Sequence, residues 1–195
     1  MISTQESIPT EIAGPKRADA RRNHERILTA ARTAFADGGQ STSLEEIARQ
    51  AGVGIGTLYR HFPTRQALLE TLYVKEVEDV CRSAEQLDDD PWTDLSVWCE
   101  RLIGYLTTKR ALAAELLNYL DEDAALFREC RAPVYAAGEP LLKRAQDAGV
   151  VRGDVDLSDL LHMLGGITRM ATSDAAQIER IVQIALDGLR YRPQA

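Results

Sequence analysis

Residues 52–62 read GVGIGTLYRHF. Three glycines fall within five positions, between stretches whose apolar residues repeat at helical spacing. Glycine is poor helix material, so this stretch must end one helix and start another. Upstream, in STSLEEIARQA (41–51), Ser43 is followed three residues later by Glu46, the pattern of a capping box. Leu44, Ile47, Ala48 and Ala51 then form one apolar face, and Gly52 takes the left-handed backbone that closes a helix. Val53 is an apolar plug, and Gly54 to Tyr59 restarts a short helix. Phe62 and Pro63 end it, because the residue before a proline is pushed out of helical geometry. Two short helices across a four-residue turn make a helix-turn-helix, whose second helix lies in the major groove of DNA. Gly54 and Gly56 let the backbone approach the duplex, and Thr57, Tyr59 and His61 offer donors to phosphate oxygens.

The charge distribution agrees with an anionic partner at this end of the chain. The 195 residues carry a net charge of −7, but residues 16–65 hold nine Lys/Arg against five Asp/Glu. Residues 66–195 hold fourteen against twenty-three, so a basic head sits on an acidic body. The length suits one domain, or a small one fused to a larger one. No run of about 18 apolar residues spans a membrane, and the start MISTQESIPTEIAGPK does not read as a signal peptide. Cys81, Cys99 and Cys130 are odd in number and fit no zinc spacing. They read as reduced thiols, and the chain as cytoplasmic, with no metal and no cofactor. No G-x-S-x-G, P-loop, H-E-x-x-H or C-x-x-C is present, so nothing in the sequence supports an enzyme.

Outward from the turn, every periodic segment is helical, and the fold class expected is all-α with about nine helices. Residues 1–16 are polar and aperiodic and read as a disordered arm. Helix 1 carries Ile27, Ala31, Ala34 and Phe35 inward, and Gly38 and Gly39 stop it. After Thr64, a plausible N-cap, a long helix runs through Leu68, Leu69, Leu72, Tyr73, Val77 and Val80 to a break at Asp88–Pro91. Further helices are expected over about 92–108, 111–120 and 123–148, the last kinked at Pro133 or Pro140. One more starts at Leu157 or Ser158, and the last covers about 174–189. This divides the chain into an arm (1–16), a three-helix reader (17–65) and a helical body (66–195).

From ILTAARTAFADGG through SLEEIARQAGVGIGTLYRHFPTRQALL, the head resembles the DNA-binding domain of the TetR family of transcriptional regulators. The string GTLYRHF, with Arg65 three positions on, is highly specific to that family. The resemblance implies a helix-turn-helix reader and a C-terminal domain for ligand binding and dimerisation. It implies a homodimeric repressor that a small-molecule effector releases from a palindromic double-stranded DNA operator. By position, Ser43 and Thr42 would anchor to a phosphate, and Gly54, Ile55, Gly56 and Thr57 would face the bases. Tyr59 and His61 would clamp the backbone, Arg65 would touch a phosphate, and Arg17, Arg21 and Arg22 would reach the minor groove or the flanks. Ile55 departs from the common pattern, where many members carry a polar or basic residue; it can meet a thymine methyl but cannot hydrogen-bond guanine.

The body is less explicit. Trp98, Tyr105, Leu116, Tyr119, Phe127, Tyr135, Met163 and Met170 either line a ligand cavity or form plain core. His162 is a ligand contact or inert. In LLHMLGGITRM (160–170), Gly165 and Gly166 each cost a helix about 1 kcal/mol relative to alanine, which close helix approach would explain. Leu164, Gly165, Ile178, Ile181, Val182, Ala185 and Leu189 are the candidate dimer residues, since the equivalent helix pair in the family packs against its twin. Burial within one subunit is the other reading. A DNA-binding regulator with no small-molecule ligand is the alternative function, favoured by a tightly packed body and disfavoured by a cavity of about 300 Å³ or more.

Overall fold

The computed structural model describes residues 15–38, 42–86, 90–170 and 175–190. Among them the chain forms helices α1 (Pro15–Gly38), α2 (Leu44–Ala51), α3 (Ile55–His61), α4 (Arg65–Glu85) and α5 (Pro91–Leu116). These are followed by α6 (Ala125–Glu129), α7 (Arg131–Asp147), α8 (Leu157–Ile167) and α9 (Ala175–Asp187). The fold is all-α, and an isolated bridge between Val151 and Arg190 is the one extended pairing among the described residues. Of the arm expected over 1–16, only Pro15 and Lys16 are described, and they open α1; the remainder lies outside the described residues.

The first three helices close on a small apolar centre. Ile27, Leu28, Ala31 and Phe35 of α1 meet Ile47, Ala48 and Ala51 of α2, with Leu58 of α3 and Phe62 beneath them. Full burial of each large side chain stabilises by about 1.5–3 kcal/mol, so a two-turn α2 and a two-turn α3 persist although neither would stand alone. Leu68 and Leu69 of α4 join the same centre. Further along, α4 packs on α5 and α7, so it belongs to both ends of the molecule.

Ion pairs on buried Glu76 and half-buried Asp79 tie the reader to the body. Arg32 of α1 bonds Glu76 and, at 2.8 Å, Asp79 of α4. Burial pushes the Glu76 carboxyl up, against the pull of Arg32. Burial also opposes ionisation of Asp79, but bonds from Lys75 and Arg32 outweigh it and hold that carboxyl below its usual value. Deeper in the body, Trp98 of α5 is fully buried and its indole N–H donates to the Val80 carbonyl at 3.2 Å. Gly138 of α7 faces that ring; a Cβ there would also stand 3.0 Å from Leu157 Cδ2. Arg144 of α7 pairs with the buried carboxylate of Asp94.

Several boundaries differ from those expected. The helices placed over 92–108 and 111–120 are one helix, α5. No glycine or proline separates them, and buried Thr108 and Leu112 keep a single inward face through the join. The helix placed over 123–148 is instead α6 and α7, which share Cys130 as a cap residue. Pro133 falls in the first turn of α7, where its missing N–H costs nothing, while Pro140 sits inside the helix. The capping box read at Ser43 is half formed. Ser43 Oγ accepts from the Glu46 N–H at 3.1 Å, but the Glu46 carboxylate is held by Arg49 and Gln50. A complete reciprocal box occurs instead at Asp156 and Asp159, where α8 begins.

Candidate nucleic-acid interface

The turn between α2 and α3 is fixed from both sides. Gly52 has φ 62°, and its N–H bonds the α2 carbonyl of Arg49 at 3.1 Å. The guanidinium of Arg26 covers it and donates to its carbonyl at 3.2 Å. Arg26, exposed on α1, is thus a turn clamp. Gly54 then caps α3 with extended backbone, and Thr57 and Leu58 donate their N–H groups to its carbonyl.

What α3 shows to solvent is unusual for its length. Leu58 is buried, while Gly54, Ile55, Gly56 and Tyr59 are exposed, Ile55 by 38% and Tyr59 by 45%. Neither Gly54 nor Gly56 has any atom within 4 Å of where a Cβ would stand. The chain therefore gives no internal reason for glycine there. Thr57 is half-buried, and its hydroxyl accepts from Arg60, which folds back to the Gly56 carbonyl at 3.2 Å. His61 is half-buried against His24, with ring centroids 5.8 Å apart, and His24 stacks on Phe62 at 4.8 Å. Burial, then the neighbouring His61, lowers the pKa of His24. Arg17, Arg21 and Arg22 lie exposed along the first half of α1, and Arg22 pairs with Asp19.

Two of the expected phosphate contacts have partners within the chain. Thr42 Oγ1 donates to the Ala34 carbonyl at 2.9 Å, which closes the α1–α2 loop. Arg65 is mostly buried, with its guanidinium over the Phe35 ring at 4.9 Å. It donates to the Thr42 carbonyl and, at 3.1 Å, to Glu115 of α5. Arg65 thus joins reader to body. Ser43 remains exposed beside its cap bond.

A half-open cavity of about 340 Å³ lies between α5, α7 and α8. Of the eight residues offered for a ligand, Tyr105 and Tyr135 line it. Trp98 and Leu116 are fully buried core instead, Phe127 packs edge-on against Tyr73, and Tyr119 and Met170 are exposed; Met163 is half-buried and packs against the core. The sequence reading missed Lys109, Arg131 and Arg169, which supply the polar lining together with His162. Spacing held one signal: Lys109 stands four residues after Tyr105, on the same helix face. Leu106, Val134 and Leu161 complete the wall.

On the last two helices Leu164 and Val182 are buried within the subunit, as is Leu189 just after α9. Gly165, Ile178, Ile181 and Ala185 are half-buried, and Ile184 is 71% exposed. Among the described residues nothing outside the helix's own turns approaches Gly165 or Gly166 within 4 Å of a Cβ position.

Comparison with known proteins gives matches over two separate stretches of the chain. Residues 27–72 match the bacterial regulatory proteins of the tetR family. Residues 90–191 match the C-terminal domain of SbtR-like transcriptional regulators. A TetR transcriptional regulator of Streptomyces coelicolor of solved structure is 38% identical, over 86% of this chain and 98% of that one, with a TM-score of 0.77. A TetR regulatory protein of Mycobacterium vanbaalenii is 35% identical over 90% and 99%, with a TM-score of 0.73. A helix-turn-helix transcriptional regulator of Staphylococcus aureus is 33% identical over 75 residues, which is 38% of this chain and 40% of that protein. The match to such curated relatives thus spans well under half their length. All of these relatives are regulators, not enzymes.

Proposed function

The chain belongs to the TetR family of DNA-binding transcriptional regulators, and from that premise we propose that it is a homodimeric repressor released from a near-palindromic operator by a small molecule. The observation that carries the DNA-facing side is the exposed stripe of Gly54, Ile55, Gly56 and Tyr59 on a helix whose entry is fixed by Gly52 and Arg26. In this reading the α3 N-terminus meets base edges, Tyr59 and Ser43 hold backbone oxygens, and the arginines of α1 reach the flanks. Thr42 and Arg65 act from behind, setting the position of α2 rather than touching phosphate. Two readers must sit about 34–36 Å apart to serve one operator. Open space at Gly165 and Gly166 of α8 and the exposure of Ile184 of α9 support these two helices as the twofold face. A cavity of about 340 Å³ in the body supports an effector over a regulator without one.

The test is isolation of genomic DNA bound by the full chain, followed by titration of the recovered site. A near-palindrome and an affinity that falls steeply with salt are expected. Recovery of no common sequence, or a bound species with one chain per site, would refute the dimeric reading.

A further inference from the structure

Resting on the reading of the body as an effector domain, we propose that the cavity between α5, α7 and α8 takes a small organic anion, a carboxylate carried on an aryl or alkyl group. Its walls hold Lys109, Arg131, His162 and Arg169 and no acidic residue. This is notable in a segment with twenty-three acids against fourteen bases. Lys109 is half-buried, whereas Arg131, His162 and Arg169 are exposed; the half-buried Arg65, Lys75 and Arg144 are neutralised by Glu115, Asp79 and Asp94. Among the described residues no carboxylate pairs with Lys109, Arg131 or Arg169. The Lys109 ammonium rests over two aromatic faces, 5.4 Å from the Tyr105 centroid and 5.8 Å from that of Tyr73. Burial holds its pKa below the ordinary lysine value. An ammonium kept from water without a counter-ion is costly, and a bound anion would offset that cost.

A second, independent observation comes from Tyr105. The residue is 4% exposed, and its hydroxyl is buried with no hydrogen-bond partner. Buried hydroxyls are almost always satisfied, and this one, on a residue that lines the cavity, has a donor to spare for a ligand oxygen. Leu106, Val134 and Leu161 give the rest of the ligand an apolar wall, and Arg131 is already committed to Tyr135, its Nη2 donating to the phenol oxygen at 3.2 Å. The volume lies near the small end of the range for ligand pockets, about 300–1,000 Å³. Two other grooves among the described residues offer no such match. The one between α1 and α4 is lined by Glu25, Glu70 and Glu78, and the one between α4 and α7 is mostly Ala, Pro and Leu.

Matched pairs test the charge directly. Benzoate against benzamide, octanoate against octanamide, and inorganic phosphate are titrated into the full chain by calorimetry, without DNA. At least one carboxylate should bind at least about tenfold more tightly than its amide, and phosphate should not match it. Lys109→Met should erase the difference while raising the Tm of the ligand-free protein, since it removes an unpaired cation. Tyr105→Phe should weaken the carboxylate more than the amide, since the bond to a charged oxygen is the stronger. Arg169→Gln serves as a surface-side variant that does not disturb the core, and it too should weaken the carboxylate. Equal binding of acid and amide, no binding of any acid, phosphate binding as tightly as the carboxylates, or a Lys109→Met protein that keeps the preference would each overturn the proposal. A parallel gel-shift assay separates it from the effector reading. Acids that bind yet leave the operator complex intact overturn only release. A neutral compound that dissociates the complex, when no acid binds, overturns only the anion.

Discussion

Gly56→Ala should make the protein more stable and a worse DNA binder. Gly56 lies in the first turn of α3 with nothing within 4 Å of the added methyl. Glycine in a helix costs about 0.5–1 kcal/mol relative to alanine, so the variant should gain up to that amount. For a chain of this size that is a rise in Tm of about 1–4 °C. If α3 lies with this surface against a duplex, the same methyl must fit between packed surfaces. Overpacking of that kind costs about 1–3 kcal/mol, or about a fivefold to more than hundredfold loss of operator affinity. Differential scanning calorimetry and fluorescence anisotropy on one preparation read both numbers. Gly52→Ala is the internal control, since φ 62° and the Arg26 guanidinium stand against it. It should lose about 1–2 kcal/mol or more from the left-handed backbone alone. A Gly56→Ala protein that binds the operator within twofold of the parent would refute close approach of this surface to DNA. A fall in its Tm would refute the open space.

Gly138→Ala should destabilise by about 1–3 kcal/mol in urea unfolding, because its methyl would press on the buried Trp98 ring and Leu157. Arg65→Gln should cost about 3–5 kcal/mol by leaving Glu115 buried and unpaired, and a purely phosphate-binding role predicts no such loss. His24 has a folded pKa below its ordinary 6.5. The unfolded chain therefore holds that proton more tightly, so the contribution of neutral His24 to stability is complete above about pH 6.5 and lost as pH falls below it. Urea midpoints at about pH 7.5 and about pH 5.5 should show the loss, and His24→Phe should reduce it. Burial pushes the Cys99 thiol up to about 12. At about pH 8, alkylation followed by mass spectrometry should find Cys99 unmodified until the protein is denatured.

The reader was legible because its signals are local. Gly52, Gly54, Leu58, Phe62 and Pro63 each dictate backbone or burial within a few residues, and α2 and α3 lie where those residues require. The body was legible as helix but not as site. Its helices announce themselves by apolar period alone, and that period cannot say whether an inward aromatic meets a partner or a void. Trp98 and Tyr105 illustrate this: both are apolar-face residues of α5, yet one fills the core against Gly138 and the other borders the cavity. The cations beside Tyr105 were missed because a lysine in a helical segment ordinarily reads as solvated, and only the fold brings Lys109, Arg131 and Arg169 to one wall. Arg65 shows the same limit of local reading. Its position in the sequence resembles a phosphate contact, whereas Glu115, fifty residues away, decides where its guanidinium goes. Gly104, exposed in mid-α5 with no atom near a Cβ position, has no explanation in the structure.

On the proposed release mechanism, the path from cavity to DNA is short and built of stiff parts. Lys109 and Glu115 sit six residues apart on α5, which is about 9 Å along one rigid helix. Glu115 holds Arg65, and Arg65 holds the Thr42 carbonyl one residue before the Ser43 cap of α2. A ligand that moves α5 against α7 therefore displaces Thr42 and, with it, the start of α2. The second tether, Arg32 to Glu76 and Asp79, fixes α1 to α4 and supplies a pivot. A body held at two points and shifted at one transmits a tilt. The core of Ile27, Phe35, Ile47, Leu58 and Phe62 is closely packed and resists internal deformation, so the reader turns as a unit. In a symmetric pair each reader tilts by the same angle and the two errors add at the groove spacing. Release then requires no melting of α3, only a bound state in which Arg65 and Glu115 meet at a different angle. This is why the preference of the cavity for ligand and of α3 for DNA should oppose each other by one shared free energy.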